Sequence, residues 1–340
     1  MTTAQYPSKL PEHRLSIVIP LYNEEQCVAP LAARVHECLA DYPWPWELIL
    51  VDDGSSDRTP EEIHKAVALW GEHIRPVELA RNFKQTAAMQ AGIDAAEGDV
   101  IVTLDGDLQN DPVDIPRLVG RLLNEDLDLV SGWRKNRQDG LWLRKIPSKI
   151  ANRLIGRVTG VRLHDYGCSL KAFRAEVLQR IRLYGEMHRF IPAWLSTVTA
   201  PRRIAEEPVA HHPRTLGSSK YGISRTFRVI LDLLSVYFFM RFRDRPGHFF
   251  GGVGLALSSV GLLILGYLGI VKLFGENIGS RPLLMVGFFA LMAGVQCVLT
   301  GVLAETLSRI YFNSGSGASY VRIPARPSDR VWHVPPAKAE

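Results

Sequence analysis

Apolar runs alternate with amphipathic segments through the first two thirds of the chain. The short apolar runs, which predict buried strands, cover residues 15–20, 46–51, 76–79, 99–104 and 127–131. The segments that predict helices cover residues 25–40, 60–70 and 85–96, and in the first of them Val28, Leu31, Val35 and Leu39 share one helical face. Strands alternating with helices predict an α/β fold with a mostly parallel sheet and helices on both faces.

Two longer apolar segments follow in the last third of the chain. Residues 249–271 and 282–304 carry no charge, and each exceeds the about 20 residues that cross a bilayer as a helix. The sequence therefore predicts two transmembrane helices, whose glycines fit close helix packing in lipid and favour a homo-oligomer. Ahead of them, residues 223–242 are apolar with scattered charges, which predicts amphipathic helices in the membrane interface.

Basic residues flank the two apolar segments unevenly. Arginines at 241, 243 and 245 precede the first segment and arginines at 309, 322, 326 and 330 follow the second, while the connector holds only Lys272 and Arg281. This asymmetry predicts that both termini are cytoplasmic and the connector lies outside. The polar first 14 residues contain no apolar core, so no signal peptide is expected.

Net charge and cysteine spacing narrow the function classes. The formal charge of +5 is concentrated around the apolar segments, where attraction to anionic lipid explains it, so no nucleic acid partner is expected. The cysteines, Cys27, Cys38, Cys168 and Cys297, lack C-x-x-C spacing and indicate neither a zinc site nor a disulfide framework. A metal or nucleophile site built on His164 and Cys168 is not expected either, because further ligands and an orienting group are missing.

Two carboxylates separated by a glycine end the fourth predicted strand. Asp105, Gly106 and Asp107 follow it directly, and Gln109 comes two residues later. Carboxylates with this spacing at a strand end can converge on one hard cation, and the glycine lets a bulky substrate approach the backbone. Mg²⁺ takes one or two carboxylates and completes its shell with substrate phosphates and water. The alternative is an acidic turn without a metal.

Three further polar clusters follow the other predicted strands. They contain Asn23 and Glu24, Asp52 and Asp53, and Arg81 and Lys84. Because the carboxyl ends of the strands form the ligand-binding edge of such a sheet, the clusters predict one site. This site would offer carboxylate side chains to a metal and basic side chains to phosphate. An amide and a carboxylate side chain would be left to bind a nucleobase or ribose. Each cluster alone also has a simpler explanation. The first can be a helix cap, the second a capped turn, and the third solvated surface charge.

These clusters belong to four motifs with a recognisable order. The motifs are Ile19-Pro-Leu-Tyr-Asn-Glu, Val51-Asp-Asp-Gly-Ser-Ser-Asp, Arg81-Asn-Phe and Asp105-Gly-Asp-Leu-Gln. Their sequence resembles that of family 2 glycosyltransferases with a GT-A (Rossmann-like) fold, and more narrowly the polyprenyl-phosphate glycosyltransferases, such as dolichol-phosphate mannose synthase. Within that group, the chain most resembles the undecaprenyl-phosphate 4-deoxy-4-formamido-L-arabinose transferases, through the motifs Asn136-Arg-Gln-Asp, Arg144-Lys, Ser148-Lys, Asn152-Arg-Leu-Ile and Asp165-Tyr-Gly-Cys. The resemblance covers about residues 14–312.

The resemblance implies roles for individual residues. Pro20, Tyr22, Glu24 and Asp52 would line the nucleotide pocket, and Asn23, Asp53, Arg81, Lys84, Asp105 and Gly106 extend this nucleotide-sugar site from the same clusters. Asp105 and Asp107, with Gln109, would hold Mg²⁺ or Mn²⁺ on the donor diphosphate. Whether Asp107 also acts at the reaction centre stays open.

Basic residues later in the chain predict the acceptor side. Arg134 and Arg137 follow the strand at 127–131, and the guanidinium fork suits phosphate because it binds two oxygens at once. In the family, the loop that matches residues 214–221 reaches over the donor and acceptor phosphates. Arg214, Ser218 and Lys220 are therefore expected to complete the acceptor-phosphate site.

The resemblance also implies a domain order. We expect a polar tail at 1–14, a cytoplasmic GT-A domain at 15–222, interfacial helices at 223–246, a two-span hairpin at 247–312 and a cytoplasmic tail at 313–340. Residues 314–319 depart from the family, which has an arginine-proline segment there, so the role of the tail stays open.

The expected activity is the inverting transfer of a sugar from a UDP-sugar to undecaprenyl phosphate at the bacterial inner membrane, for lipid A or another envelope glycan. UDP-4-deoxy-4-formamido-L-arabinose is the first choice of donor; glucose, N-acetylhexosamine, or mannose from GDP-mannose are the alternatives. Because the acceptor is already an anion, positioning and charge stabilisation should suffice. The expected catalytic residues are Asp107, Arg134, Arg214 and Lys220.

Two competing functions fit the sequence less well. A processive polysaccharide synthase needs more than two spans to line a channel, and the Gln-x-x-Arg-Trp segment is missing. A non-catalytic adaptor that senses nucleotide-sugars would bind nucleotide without turnover, and the presence of Asp105, Asp107 and Gln109 argues against it.

Overall fold

The computed structural model describes residues 10–135, 155–157, 159–213, 237–238, 241–242 and 245–313. These residues divide into two compact units, of which the first ends at Tyr237 and the second begins at Phe238. The first unit is built on a sheet, and the second contains two long apolar helices. The domain boundaries expected from the sequence stay predictions.

Seven strands in the described part of the chain form one sheet in the order β3-β2-β1-β4-β6-β5-β7. The strands are β1 (Leu15–Leu21), β2 (Trp46–Asp52), β3 (Ile74–Glu78), β4 (Val100–Thr103), β5 (Leu129–Trp133), β6 (Lys171–Arg174) and β7 (Ile204–Pro208). All pairs are parallel except those of β6, which runs antiparallel to β4 and β5. The predicted α/β fold with a mostly parallel sheet is confirmed.

Helices cover both faces of the sheet. In the first unit they are α1 (Val28–Leu39), α2 (Thr59–Trp70), α3 (Gln85–Ala95), α4 (Ile115–Asn124), α5 (Ala175–Leu178) and α6 (Ile191–Leu195). Alternate residues of β1, such as Ile17 and Ile19, share one core with α1 and α4. Val18 points to the other face, where α3 comes so close that a Cβ on Gly92 would lie 2.3 Å from it. Burial on both faces explains the continuous apolar runs of β1, β2 and β4.

The element bounds differ from the sequence prediction most on two strands, β3, which begins at Ile74 rather than residue 76, and β5; the strands β6 and β7 and the helices α4 to α6 were not predicted. β5 begins at Leu129, two residues later than the predicted 127–131. The residues before it are not extended strand: Asp126 has a positive φ of 56°, and the buried Asp128 accepts a hydrogen bond from the side chain of Thr199. Helix α1 begins at Val28 rather than at residue 25, since residues 23–25 bond to the loop after β2. The simpler explanation of Asn23 and Glu24 as a helix cap is therefore wrong.

The second unit contains the helices α7 (Pro246–Leu273) and α8 (Pro282–Asn313). Both are long and apolar enough to cross a membrane, with a mean hydropathy of 2.1 over the best window. They extend beyond the predicted spans of 249–271 and 282–304. Most residues of the predicted interfacial helices at 223–246 lie outside the described part of the chain. Among the described ones, residues 237–238 and 241–242 are helical.

Glycines bring α7 and α8 into backbone contact. A Cβ on Gly254 would lie 2.7 Å from the carbonyl oxygen of Gly294, and a Cβ on Gly261 would lie 2.6 Å from the amide nitrogen of Leu291. By contrast, a Cβ on Gly266 would meet no described atom within 4 Å. Small residues of this kind let helices approach closely where lipid provides no hydrophobic driving force.

We expect Gly261→Ala to weaken the packing of α7 on α8. The added methyl group would overlap backbone atoms and cost about 1–3 kcal/mol, as overpacking does elsewhere. The thermal midpoint of unfolding in detergent should fall for Gly261→Ala. The matched variant Gly266→Ala, which gains the same methyl group in open space, should keep the wild-type midpoint. Equal midpoints for the two variants would contradict this packing.

Candidate active site

The loops that follow β1 and β2 are bonded to each other at the carboxyl edge of the sheet. The amide of Asn23 donates to the hydroxyl of Ser55 over 2.9 Å, and the amide of Ser56 donates to Oδ1 of Asn23 over 2.8 Å. Asn23 holds a φ of 51°, a left-handed conformation that asparagine tolerates better than most residues. Within the second loop, the buried Asp52 accepts from the amide of Ser55 over 3.2 Å.

The loop after β3 joins this pair of loops through Asp53. The amide of Phe83 donates to Oδ1 of Asp53 over 2.7 Å, and the guanidinium of Arg81 lies 4.2 Å from the centre of the Phe83 ring. Burial raises the pKa of Asp53, with a further contribution from the charge of Asp52, although the amides of Phe83 and Lys84 oppose the shift. The loops that follow β1, β2 and β3 thus form one hydrogen-bonded surface.

We expect Gly54→Ala to disrupt this surface. Gly54 has a φ of +64°, and a Cβ there would lie 2.3 Å from the backbone carbonyl carbon of Arg81. Positive φ costs a non-glycine residue about 1–2 kcal/mol, and the clash adds about 1–3 kcal/mol. Gly71→Ala is the control, because Gly71 also has a positive φ but its Cβ would meet only the His73 ring, at 3.6 Å.

Calorimetric titration with UDP should show a larger loss of affinity for Gly54→Ala than for Gly71→Ala. If both variants bind UDP equally well, the close approach of the two loops does not matter for the site.

Asp105, the first of the two carboxylates after β4, lies beside the N-terminus of α3. The side-chain amide of Gln85 donates to Oδ1 of Asp105 over 2.7 Å. A Cβ on Gly106 would lie 2.3 Å from Cδ2 of the Leu21 side chain, so this turn passes close to the end of β1 and a larger residue would displace Leu21. Burial and the neighbouring Asp107 raise the pKa of Asp105 to about 6. Two carboxylates that oppose each other's ionisation form an environment that a cation stabilises.

A buried cation from β6 lies behind this pair. Lys171 is 2% exposed, and its ammonium donates to the carbonyl oxygen of Cys168. Burial lowers the pKa of Lys171, while Cys168, Asp165 and Asp105 act to raise it. The Ser169 side chain, which accepts from the amide of Asn110 over 2.8 Å, also bonds to Asp105 and lowers its pKa. The sheet therefore supplies fixed polar support beneath the carboxylates.

Arg134, predicted to contact the acceptor phosphate, forms a bidentate ion pair with Asp165. Its Nε and Nη2 donate to the two carboxylate oxygens over 2.7 and 3.0 Å, and the two side chains are only 12% and 15% exposed. The fork of Arg134 is thus occupied by a protein carboxylate. Its charge still acts on Asp105, whose pKa it lowers.

The chain returns to the site after β7. The amide of His212 donates to the carbonyl oxygen of Gln109 over 2.7 Å, and Asn110 forms a β-bridge with His211. Pro213 is the last described residue of this segment. The remaining predicted acceptor residues, Arg137, Arg214, Ser218 and Lys220, lie outside the described residues.

The donor set at this edge suits a metal that is partly coordinated by substrate. Within the described residues, no group of three or more His, Cys, Asp or Glu side chains could hold an ion. Asp105 and Asp107 therefore offer two carboxylates, with Gln109 two residues beyond them. This is the number of protein ligands that Mg²⁺ commonly takes when phosphates and water complete its shell.

A mostly parallel sheet with an acidic Asp-Gly-Asp turn at its carboxyl edge, flanked by bonded loops, is the arrangement expected from the resemblance to GT-A glycosyltransferases. The chain belongs to glycosyl transferase family 2, whose family model matches residues 16–182. The resemblance seen in the sequence is confirmed, and the protein is an enzyme of the polyprenyl-phosphate sugar transferase group.

Two relatives support that group. A dodecaprenyl-phosphate galacturonate synthase of Rhizobium johnstonii is 59% identical over 308 residues, which cover 90% of this chain and 91% of the relative. An undecaprenyl-phosphate 4-deoxy-4-formamido-L-arabinose transferase of Proteus mirabilis is 36% identical over 305 residues, covering 88% and 90% of the two chains. Both matches cover nearly nine tenths of this chain or more.

A solved structure shares the fold at much lower identity. Glucosyl-3-phosphoglycerate synthase from Mycobacterium tuberculosis, crystallised with Mn²⁺ and UDP-glucose, matches with a TM-score of 0.52 and 21% identity. The match covers 66% of this chain and 79% of the crystallised one. It confirms the GT-A fold.

Several residues of the site were missed by sequence reasoning. Gln85, Ser169, Lys171 and Asp165 all contact or support the predicted residues. Lys171 begins β6 and Ser169 lies just before it, and this strand inserts between β4 and β5 although it follows both in sequence. The motif that begins at Asp165 contributed to the resemblance, but sequence reasoning gave Asp165 itself no role.

Proposed function

We propose that this enzyme transfers a uronic acid, with galacturonate the first choice, from UDP to a polyprenyl phosphate with inversion at the anomeric carbon. The observation that carries the proposal is the pair Asp105 and Asp107, held beside Gln85 at the edge where the loops after β1, β2 and β3 meet. This arrangement gives one surface on which a nucleotide can bind with its diphosphate towards the carboxylates.

The donor is the point on which the relatives differ. The relative that is 59% identical is named for galacturonate, and the one that is 36% identical is named for 4-deoxy-4-formamido-L-arabinose. The higher identity supports galacturonate over the aminoarabinose derivative first expected from the motifs. The same relatives are named for dodecaprenyl and undecaprenyl phosphate, so a C55–C60 polyprenol is the proposed acceptor class.

The chemistry requires little from the protein beyond placement. An oxygen of the acceptor phosphate attacks the anomeric carbon, the bond from that carbon to the β-phosphate oxygen breaks, and UDP leaves with the bonding electron pair. No proton has to be removed from an acceptor that is already ionised. Asp105, Asp107 and Gln109 would hold Mg²⁺ or Mn²⁺, which when bound neutralises the departing diphosphate.

The other residues would position the two substrates. Asp52 and Asp53 sit at the end of β2, where they can face the base and ribose. Arg134, whose side chain is held by Asp165, would act on the phosphates through the positive charge of its guanidinium. Arg137, Arg214, Ser218 and Lys220 complete the acceptor site in this proposal.

The apolar helices fit the same function. A polyprenyl chain is confined to a membrane, and α7 and α8 are long enough to anchor the enzyme there. We propose that the enzyme lies in the bacterial inner membrane with the sheet domain on the cytoplasmic side, as the arginine asymmetry predicts. Association of the glycine-rich helices into a homo-oligomer is part of this proposal.

A donor panel tests the proposed function. Purified protein would be incubated with undecaprenyl phosphate, Mg²⁺ or Mn²⁺, and UDP-galacturonate, UDP-glucose, UDP-N-acetylglucosamine or UDP-4-deoxy-4-formamido-L-arabinose. Mass spectrometry of the extracted lipids should show hexuronosyl-phosphoryl-undecaprenol from the first donor. A product from the aminoarabinose donor alone would overturn the proposed sugar, and none from any donor would overturn the activity.

A further inference from the structure

One side chain of α8 carries an amide group well inside an apolar span. Gln296 lies within the uncharged stretch that begins at Pro282 and is followed by Glu305. At the helical rise of 1.5 Å per residue, Gln296 is about 14 Å along the helix from Glu305 and farther from Pro282. A glutamine side chain is much shorter than that distance. If α8 spans a membrane, the amide therefore lies in the hydrocarbon region and cannot reach either interface.

Gln296 lies on the side of α8 that faces away from α7. The glycines that recur every seven residues on α8 face α7, where a Cβ on each would lie 3.1 Å or less from an atom of that helix: Gly287, Gly294 and Gly301. Gln296 and Ala293 are exposed, and Thr300, one turn further along the same face, is half-buried. These three residues define the Gln296 face, on the open side of the α7–α8 pair.

The amide differs from the hydroxyl groups of the same two helices. The hydroxyls of Ser259, Thr300 and Thr306 each donate to a carbonyl oxygen of their own helix over 2.8 to 2.9 Å. Within the described part of the chain, the Gln296 side chain has no hydrogen-bond partner. Its two N–H donors and its carbonyl oxygen cannot be satisfied by lipid tails. Because an unpaired amide in hydrocarbon is costly, a partner from outside the α7–α8 pair is required.

A second copy of the chain meets this requirement. All copies insert into a membrane in the same orientation, so Gln296 of one copy lies at the same depth as Gln296 of another. A carboxamide is self-complementary, because each of two amides can donate an N–H to the carbonyl oxygen of the other. The small side chains of Ala293 and Thr300 allow two helices to approach closely. A polyprenyl acceptor offers no such group, since its phosphate lies at the interface and its chain is a hydrocarbon.

We propose that the Gln296 face is the surface on which α8 packs against α8 of a second copy, with the two Gln296 amides hydrogen-bonded to each other across a two-fold axis. The proposal rests on the proposed function only in that α7 and α8 span a membrane. It assigns association to a polar face of α8, whereas the glycines at 287, 294 and 301 serve the packing of α7 on α8 within one chain.

Association in lipid vesicles tests the proposal. Full-length protein labelled with donor or acceptor fluorophores would be reconstituted in phosphatidylethanolamine–phosphatidylglycerol vesicles over a range of lipid-to-protein ratios, and energy transfer would give the dissociation constant. Gln296→Leu should raise that constant by about 3- to 30-fold, the effect of losing one interhelical hydrogen bond in a membrane. Gln296→Asn, which keeps the amide, should lie closer to wild type than Gln296→Leu does.

The matched control is Ser259→Ala. It also removes a polar group from an exposed position of a span, but this hydroxyl already bonds to the carbonyl oxygen of Leu255. Ser259→Ala should therefore keep the wild-type dissociation constant. The affinity for UDP, measured by calorimetry, should be the same for wild type and all variants, which shows that the sheet domain is folded in each.

Cysteine cross-linking locates the contact while Gln296 stays in place. In a Cys297→Ser background, with copper phenanthroline as the oxidant, Ala293→Cys should form a disulfide-linked dimer faster than Val302→Cys. Val302 is exposed as well, but it lies on another side of α8. Adding Gln296→Leu to Ala293→Cys should slow the cross-linking.

Three results would overturn the proposal. They are equal cross-linking at residues 293 and 302, equal dissociation constants for wild type and Gln296→Leu, and wild type that stays monomeric at every lipid ratio. In the last case, something other than a second copy covers the amide.

Failure of this proposal is distinguishable from failure of the proposed function. If wild type forms the galacturonosyl lipid but Gln296→Leu associates as wild type does, the proposal alone is wrong. If Gln296→Leu weakens association but no donor gives a lipid product, only the proposed activity is wrong. If alkaline carbonate releases the protein from membranes, α7 and α8 do not span them, and the proposal fails together with the membrane placement.

Discussion

Asp107→Asn is expected to lower kcat by about 10²–10³-fold, the size of effect seen when one preorganised group that stabilises developing charge is removed. The amide keeps the shape of the side chain but loses the negative charge that would bind the cation and, through it, the leaving diphosphate. Turnover should be measured as lipid-linked sugar formed over a range of Mg²⁺ and Mn²⁺ concentrations. Part of the loss should recover at high metal concentration if the variant binds metal more weakly.

The control for Asp107→Asn is Asp99→Asn. Asp99 comes just before β4, whereas Asp105 comes after it, so the two carboxylates lie at opposite ends of the same strand. The side chain of Asp99 accepts a hydrogen bond from the amide of Arg14. Its substitution should leave kcat unchanged. Near wild-type turnover of Asp107→Asn at every metal concentration would show that the carboxylate pair is not the metal site.

Asp165→Ala is expected to lower the free energy of unfolding by about 3–5 kcal/mol, because it leaves the buried guanidinium of Arg134 without its partner. Replacing both members, as in Arg134→Met with Asp165→Leu, should recover most of that loss, since an apolar pair of similar volume needs no compensation. Urea denaturation of wild type, Arg134→Met, Asp165→Leu and the double variant gives the coupling energy directly. The exposed pair of Arg182 with Asp94 is the comparison, and breaking it with Asp94→Asn should cost at most about 1 kcal/mol.

The same ion pair gives a pH dependence with a defined sign. Burial acts to raise the pKa of Asp165, but the hydrogen bonds and charge of Arg134 outweigh it and lower the pKa. A lowered pKa contributes stability that is present above the unfolded-state value of about 3.9 and is lost as the pH falls through the folded-state value. Wild type should therefore lose more stability between about pH 4 and pH 2 than Asp165→Asn does. Parallel pH curves would contradict the pairing.

The strands β1 to β5 and the helices α1 to α3 could be predicted largely because β1, β2 and β4 are continuous apolar runs, buried on both faces. The position of β6 could not, since its insertion between β4 and β5 depends on contacts between distant parts of the chain. For that reason Asp105 and Asp107 were identified from their motif, whereas the support from Lys171 and Ser169 was not. Motif spacing shows which residues end a strand, but the pairing of Arg134 with Asp165 depends on tertiary structure.

The contacts of residues 182–185 with α3 illustrate the same limit. Asp94, Gln90 and Thr86 have helical spacing, but nothing local indicates that their partners come from residues 182–185. Their partners are about 90 to 100 positions away in sequence, and only the folded chain brings the two segments together.

The most direct test of the central claim is the stoichiometry of UDP release and lipid glycosylation. Purified protein, UDP-galacturonate and polyprenyl phosphate would be combined with Mn²⁺, and both products followed in the same time course. The account predicts one UDP released for each galacturonosyl-phosphoryl-polyprenol formed, and neither product without the lipid acceptor or in Asp107→Asn. Release of UDP without a lipid product, or binding of the donor with no release at all, would contradict it.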